Sequence, residues 1–324
     1  MFGNAIFRWR DAEQAPRNPA SPGRRAALGL ALGGGAARGW AHLGVLHALA
    51  EAGLVPDIVT GTSIGAVVGG CYAAGEIGSL EAFARGLTRR RVFGLLDLNL
   101  AGRGLISGNR ISRLLEARLA HVRIEQLAQK FVAVATELGT GHEVWMSRGG
   151  LVDAMRASYA LPGIFQPVRL NGRWLVDGTL VNPVPVSAAR ALGAEVVIAV
   201  NLQGDAFGRG TIVHDQAVAP EADAAATDPV PDGAQAPNRP RRHPTGRDEG
   251  PPGIPAVMLE AFNIIQDRIT RSRLAGDPPD LVIGPRLGHI GSFEFHRATE
   301  AIDIGYQAAR RATADIGSSL ATVA

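Results

Sequence analysis

The chain has 324 residues, 46% hydrophobic and 19% charged, with a formal net charge of +3, the make-up of a globular protein with a sizeable core. Its basic residues are arginines apart from Lys130, and none cluster with aromatics, which argues against a nucleic-acid partner. A lone cysteine, Cys71, excludes a disulfide framework and fits a reducing compartment, and no apolar run approaches the ~20 residues that cross a bilayer.

Taken in order, residues 1–25 mix Arg, Asp, Glu, Asn and Pro without an apolar stretch, so a flexible tail is expected there and no signal peptide. Residues 26–32 read as a strand that runs into the loop Gly33, Gly34, Gly35, Ala36, Ala37, Arg38, Gly39. A helix comes next over about 40–52, closed by Gly53. Residues 54–60 are short, apolar and β-branched and read as a second buried strand, which enters Gly61, Thr62, Ser63, Ile64, Gly65. The small apolar run 66–74 reads as a buried helix ended by Gly75. A βαβ unit with a right-handed crossover puts both of its strand-to-helix loops at the carboxyl edge of a parallel sheet. The glycine loop and Ser63 are therefore expected to face one crevice.

Residues 79–119 are helical in pattern, interrupted around Gly102, Arg103 and Gly104 and restarted near Asn109. Within them Arg89, Arg90 and Arg91 read as a solvated helix end, in preference to a lipid-headgroup patch. Phe93, Leu95, Leu96, Leu98 and Leu100 read as core, in preference to an exposed lid. Residues 131–136 form a strand with 143–146 paired near it, and 151–161 a short helix stopped by Pro162. A strand ends at 174–178 in the tight turn Asp177, Gly178, and 196–200 is another buried strand. About 204–255 is rich in Ala, Pro, Asp, Gly and Arg without periodicity, the composition of a disordered insert. After it Met258, Phe262, Ile265 and Ile269 share one face of an amphipathic helix. Residues 281–283 make a last strand and 295–314 a closing helix. This is an α/β chain: a central, mostly parallel sheet flanked by helices, one domain over 26–324 with the insert inside it.

A G-x-S-x-G between a strand and a helix is the setting of a nucleophile elbow, where a sharp turn holds the serine hydroxyl clear of the backbone. Its rival is an ordinary N-cap serine. A serine nucleophile needs a base and preorganised donors for the oxyanion. Backbone N–H groups of Gly33, Gly34 and Gly35, beside a helix N-terminus, are suited to the second task. The dinucleotide fingerprint G-x-G-x-x-G is not met, because its sixth place counted from Gly33 is Arg38. An α/β-hydrolase triad would draw on His289 or His296, but a single βα unit precedes the elbow where that fold has several strands. His42 and His47 read as packed or surface residues of the first helix, and His214 and His243 fall in the insert. No His, Cys, Asp or Glu cluster has metal-ligand spacing, so no metal and no cofactor are expected. On residue type alone, Asp177 is a turn aspartate that bonds its own backbone.

Together, residues 33–39, residues 61–65 and the pair Asp177, Gly178 resemble the three signatures of the patatin-like phospholipase family. Residues 156–163 and 182–186 agree with it, and 274–280 resemble its bacterial branch. The resemblance covers about 26–203 and 256–305 and implies a three-layer patatin-like fold with a Ser–Asp dyad and no histidine. Carried over, Ser63 is the nucleophile and Asp177 the base, with N–H donors from Gly34 and Gly35 and also Ala36. Thr179 departs from the DG[GA] of the family, a change compatible with a positive φ at Gly178. Arg38 is expected to pin the loop, in preference to binding a phosphate. The implied reaction is hydrolysis of a lipid or acyl ester through an acyl-enzyme. The implied setting is a cytoplasmic protein with at most peripheral contact at the inner face of the membrane. Alternatives are an acyl-thioesterase or acyltransferase with the same nucleophile, or a non-catalytic binding protein on the same fold. The resemblance fixes neither the lipid nor an oligomeric state.

Overall fold

The computed structural model describes residues 25–95, 109–205 and 253–323. The expected tail, nearly all of the expected insert, and Leu96, Leu98 and Leu100 lie outside the described residues, as do the side chains of Phe93 and Leu95.

Eight strands form one sheet: β1 (Leu28–Leu32), β2 (Ile58–Thr62), β3 (Lys130–Glu137), β4 (Glu143–Met146), β5 (Val168–Leu170), β6 (Arg173–Asp177), β7 (Val196–Val200) and β8 (Leu281–Ile283). β3, β2, β1, β7 and β8 are parallel neighbours in that order, while β4 and the β5–β6 hairpin are antiparallel additions to β3. β1 and β7 are apolar and buried at every position, as strands covered on both faces must be.

The helices are α1 (Ala41–Glu51), α2 (Ile64–Ala73), α3 (Ile77–Arg85), α4 (Arg89–Leu95) and α5 (Asn109–Leu119), then α6 (Leu151–Ser158), α7 (Val186–Ala191), α8 (Ile254–Gly276) and α9 (Ala298–Val323). Because side chains alternate along a strand, β1 divides its residues between two cores. Leu28, Leu30 and Leu32 pack with Leu46 of α1, Val68 of α2, Met155 of α6 and Ile302 of α9. Ala31 packs with Val197 and Ala199 of β7 and with Val186 and Ala189 of α7. Helix, sheet and helix make three layers, and each fully buried Leu contributes about 1.5–3 kcal/mol to holding them together. α1 and α9 approach so closely that a Cβ on Gly44 would strike the Ile302 carbonyl, and one on Gly305 the Ala41 carbonyl.

Several expectations shift. β2 starts at Ile58 because Pro56 has no N–H to offer a ladder and Asp57 anchors the strand edge, its carboxylate accepting from the Leu28 N–H at 2.8 Å. Gly61 and Thr62 thus belong to the strand. The β5–β6 hairpin and α7 were not anticipated. Asn171 and Gly172 join β5 to β6 with φ of 49° and 80°, the conformation that favours Asn-Gly in two-residue hairpin turns. The amphipathic face expected on α8 is corrected: Met258 and Ile265 are 65% and 50% exposed, whereas Gln266, Asp267 and Thr270 are buried. The inward face of α8 is polar because Gln266 hydrogen-bonds to Thr179 in the turn after β6.

Candidate active site

The residues singled out in the sequence converge at the carboxyl end of β2. Ser63 leaves the strand with φ 56° and ψ −125°, a left-handed conformation unusual for a residue with a Cβ. It is held there from several sides. The Ser63 N–H donates to Ser158 Oγ at 2.9 Å, and the Ser158 hydroxyl donates to the Val134 carbonyl at 2.6 Å. Its carbonyl accepts from the N–H groups of Ala66 and Val67. A Cβ on Gly61 would strike the Gly65 carbonyl, and one on Gly65 the Leu32 carbonyl, so the glycines on either side allow the close approach of chain that the sharp turn needs.

The Ser63 hydroxyl donates to Asp177 Oδ2 at 2.6 Å. Asp177 is the last residue of β6 and is 1% exposed. Its other oxygen, Oδ1, accepts from the Thr179 N–H at 2.8 Å and the Thr179 hydroxyl at 2.7 Å. The aspartate therefore does what a turn aspartate does with one oxygen and meets the serine with the other. Its backbone is tied too, the N–H to the Ala160 carbonyl and the carbonyl to the Thr136 hydroxyl. Burial pushes the Asp177 carboxyl up to about 6, against the opposing pull of the Ser63 and Thr179 hydrogen bonds. Gly178 is required for a different reason than expected. It is absent from the positive-φ residues, and a Cβ there would strike the Val134 carbonyl.

The glycine loop lies against the serine: a Cβ on Gly34 would be 3.5 Å from that of Ser63 and would collide with the Thr179 methyl. The donor assignment in this loop is corrected. The Gly33 N–H is bonded to the Val200 carbonyl at 3.1 Å and the Gly34 N–H to the Pro183 carbonyl at 3.0 Å, so both fasten the loop to its surroundings. Among the described residues the N–H groups of Gly35 and Ala36 donate to no backbone carbonyl, and Ala36 adopts φ 49°. Arg38 is buried, its Nε donating to the Ile290 carbonyl at 2.8 Å, and burial lowers its pKa. It pins the loop from behind. His42 is fully buried beneath the loop with Nε2 2.7 Å from the Gly33 carbonyl. Burial holds its pKa down at about 4, which makes it a neutral imidazole donating from Nε2.

Sequence reasoning missed Ser158 and the wall of a cavity. The residues around Ser158 carried the resemblance, yet nothing in their pattern marks a buried hydroxyl that bridges β3 and the elbow. A cavity of about 320 Å³ is lined by Ser63, Ile64 and Ala36 together with Val67, Leu80, Phe83, Leu115, Phe165 and Phe295. Glu76 and Arg118, 3.4 Å apart, also line it. His289 and His296 are engaged elsewhere, with Glu300 at 2.9 Å and Arg89 at 3.2 Å. Among the described residues no group of three or more His, Cys, Asp or Glu side chains is placed to hold a metal ion.

Comparison with known proteins finds relatives of the chain as a whole. A family model described as patatin-like phospholipase matches residues 30–190. The uncharacterized NTE family protein Rv1063c of Mycobacterium tuberculosis (strain ATCC 25618 / H37Rv) is 35% identical over 326 residues, covering 88% of this chain and 91% of that protein. The uncharacterized NTE family protein Rv2565 of the same strain is 32% identical over 289 residues, covering 88% of this chain and 46% of that protein. Lysophospholipase nte1 of Emericella nidulans is 34% identical over 191 residues, covering 54% of this chain and 12% of that protein.

Proposed function

The chain belongs to the patatin-like phospholipase family, and on that premise we propose that it is a serine lipid acyl hydrolase of the phospholipase A, lysophospholipase or carboxylesterase type. The observation that carries this reading is the 2.6 Å hydrogen bond to the buried Asp177 from Ser63, which lines an apolar cavity. A carboxyl pushed up to about 6 is largely ionised at neutral pH yet basic enough to take a proton from a hydroxyl under attack.

In this mechanism Ser63 Oγ bonds to the ester carbonyl carbon while its proton passes to Asp177 Oδ2. The oxyanion is met by the N–H groups of Gly35 and Ala36, beside the start of α2. Collapse breaks the carbon–oxygen bond of the ester, and the leaving alcohol takes the proton from Asp177. Water then attacks the acyl-enzyme with Asp177 again as base, releasing the fatty acid and restoring the serine. The acyl chain occupies the cavity walled by Val67, Leu80, Phe83 and Leu115. No helix among the described residues is long and apolar enough to cross a membrane.

The test is fatty-acid release from vesicles of phosphatidylcholine and from lysophosphatidylcholine, with an acyl-CoA thioester in parallel and Ser63→Ala as control. Release from the oxygen esters by wild type alone supports the reading. Preference for the thioester moves it to a thioesterase with the same nucleophile. Binding of lipid without turnover by well-folded wild type overturns it in favour of a binding protein.

A further inference from the structure

We propose that Thr179 and Gln266 are positioning residues for Asp177, aiming a hydroxyl proton at Oδ1 of its carboxylate and so leaving Oδ2 to Ser63. The inference rests on the Ser63–Asp177 dyad proposed for hydrolysis. Thr179, Gln266 and Gln203 are 1%, 5% and 5% exposed, and they form one chain of hydrogen bonds. Gln203 Nε2 donates to Gln266 Oε1 at 2.5 Å, Gln266 Nε2 donates to Thr179 Oγ1 at 2.6 Å, and the Thr179 hydroxyl donates to Asp177 Oδ1 at 2.7 Å.

The direction of this chain is what matters. A threonine hydroxyl has one proton and can point it at either neighbour. With the Gln266 amide filling an acceptor position of the Thr179 oxygen, the proton is left to Asp177. Gln266 is in turn oriented because its own oxygen accepts from Gln203. Burying an amide is costly unless its bonds are made. Both ends of the Gln266 amide are bonded, whereas Gln203 Oε1 is buried without a partner among the described residues. α8 turns this polar face inward while Met258 and Ile265 face out. Arg273 of α8 strengthens the clamp, donating to the Val181 carbonyl at 2.9 Å and pairing with Glu143 of β4 at 3.2 Å. The Thr179 N–H would reach Oδ1 whatever residue stood there. The hydroxyl is what threonine adds over the glycine or alanine of DG[GA].

The level at which Asp177 titrates is set by burial, opposed by bonds from Ser63 and Thr179. The charged and titratable groups on the neighbouring elements are committed to other partners: Asp267 with Arg271 on α8, Arg273 with Glu143, Arg38 with the Ile290 carbonyl, and the neutral His42 of α1 with the Gly33 carbonyl. None is among the causes that shift Asp177. Removing the Thr179 hydroxyl therefore takes a donor from the ionised form with no charge to replace it, and the carboxyl must rise further.

The experiment is the rate of fluorophosphonate labelling of Ser63 against pH for wild type, Thr179→Val, Thr179→Ser and Gln266→Met, with thermal melts to establish folding. The acid limb is expected to move up by roughly one pH unit in Thr179→Val, less in Gln266→Met, and to return to the wild-type position in Thr179→Ser. A limb that stays in place in folded Thr179→Val, or a fall in maximal rate alone, overturns the proposal while the dyad stands. Should Thr179→Val not fold, an unmoved limb in Gln266→Met overturns it equally. Labelling that survives in Asp177→Asn, or fails in wild type, is a failure of the dyad reading and the inference falls with it.

Discussion

Asp177 stands beside Ala135 of β3, in the register position that Ser63 would take if β2 ran one residue further. β4 pairs with residues 133–136 and so covers one edge of β3. β2 and β6 therefore share the other edge and run head-on into each other, Thr62 opposite Val134 and Asp177 opposite Ala135. The distance from Ser63 to Asp177 is thereby fixed by one continuous ladder of backbone hydrogen bonds, although 114 residues separate the two in sequence.

A site that holds a carboxylate dry is built at a cost in stability. Folding raises the Asp177 pKa from 3.8 to about 6, so the protonated form is favoured in the fold. That stability is fully present below the lower value and lost as pH rises through the upper one, about 3 kcal/mol in all. His42, lowered from 6.5 to about 4, has the opposite slope, its stability present above 6.5 and lost as pH falls through 4. Asp177→Asn is predicted to melt a few degrees higher than wild type at pH 8, to lose that advantage by pH 4, and to show the acid slope of His42 unmasked. An equal or lower melting temperature at pH 8 would contradict this.

Ser158→Ala removes the hydroxyl that joins the Ser63 N–H to the Val134 carbonyl. Two buried backbone groups are left unpaired, so a destabilisation of about 1–3 kcal/mol by urea titration is expected. A larger relative fall in ester hydrolysis should accompany it, because Ser63 loses a restraint on its left-handed backbone. Unchanged activity would mean that the glycines alone shape the elbow.

Gly34→Ala is predicted to be inactive because its methyl would collide with the Thr179 Cγ2, whereas the next atoms, Ser63 Cβ at 3.5 Å and Thr179 Cβ at 3.7 Å, are at ordinary contact distance. Thr179→Ser deletes that Cγ2 and keeps the hydroxyl on Asp177. The double variant should regain most of the hydrolysis rate. Failure of rescue would place the fault of Gly34→Ala in the loop backbone and not in this contact.

Leu115→Trp adds bulk to a wall of the cavity. A drop in kcat/KM of at least about tenfold on long-chain esters, with butyrate esters little affected, is the expected result. Equal loss on both would show that the acyl chain lies elsewhere.

Much of this site was legible in the sequence because its chemistry is local. Gly61, Ser63 and Gly65 announce a turn, Gly33 to Gly35 a backbone loop, and Asp177 with Gly178 another turn, all at strand ends. What the sequence pattern could not settle was which N–H groups the loop spends on its own anchoring, since the partners of Gly33 and Gly34, Val200 and Pro183, lie far away in the chain. The Asn171–Gly172 signal for the hairpin that carries Asp177 was present and overlooked. α8 misled for a physical reason: its apolar spacing is real, but the hydrogen bonds of Gln266 to Thr179 and of Arg273 to Val181 set which side faces the sheet.

The most direct test of the central claim is the mass shift on fluorophosphonate treatment at pH 7.5, mapped to a peptide, for wild type, Ser63→Ala and Asp177→Asn. The account predicts one adduct on wild-type Ser63, none on Ser63→Ala, and labelling slowed by about 100-fold or more in Asp177→Asn. Rapid labelling of a folded Asp177→Asn protein would contradict it, because Ser63 would then draw its reactivity from a base other than Asp177.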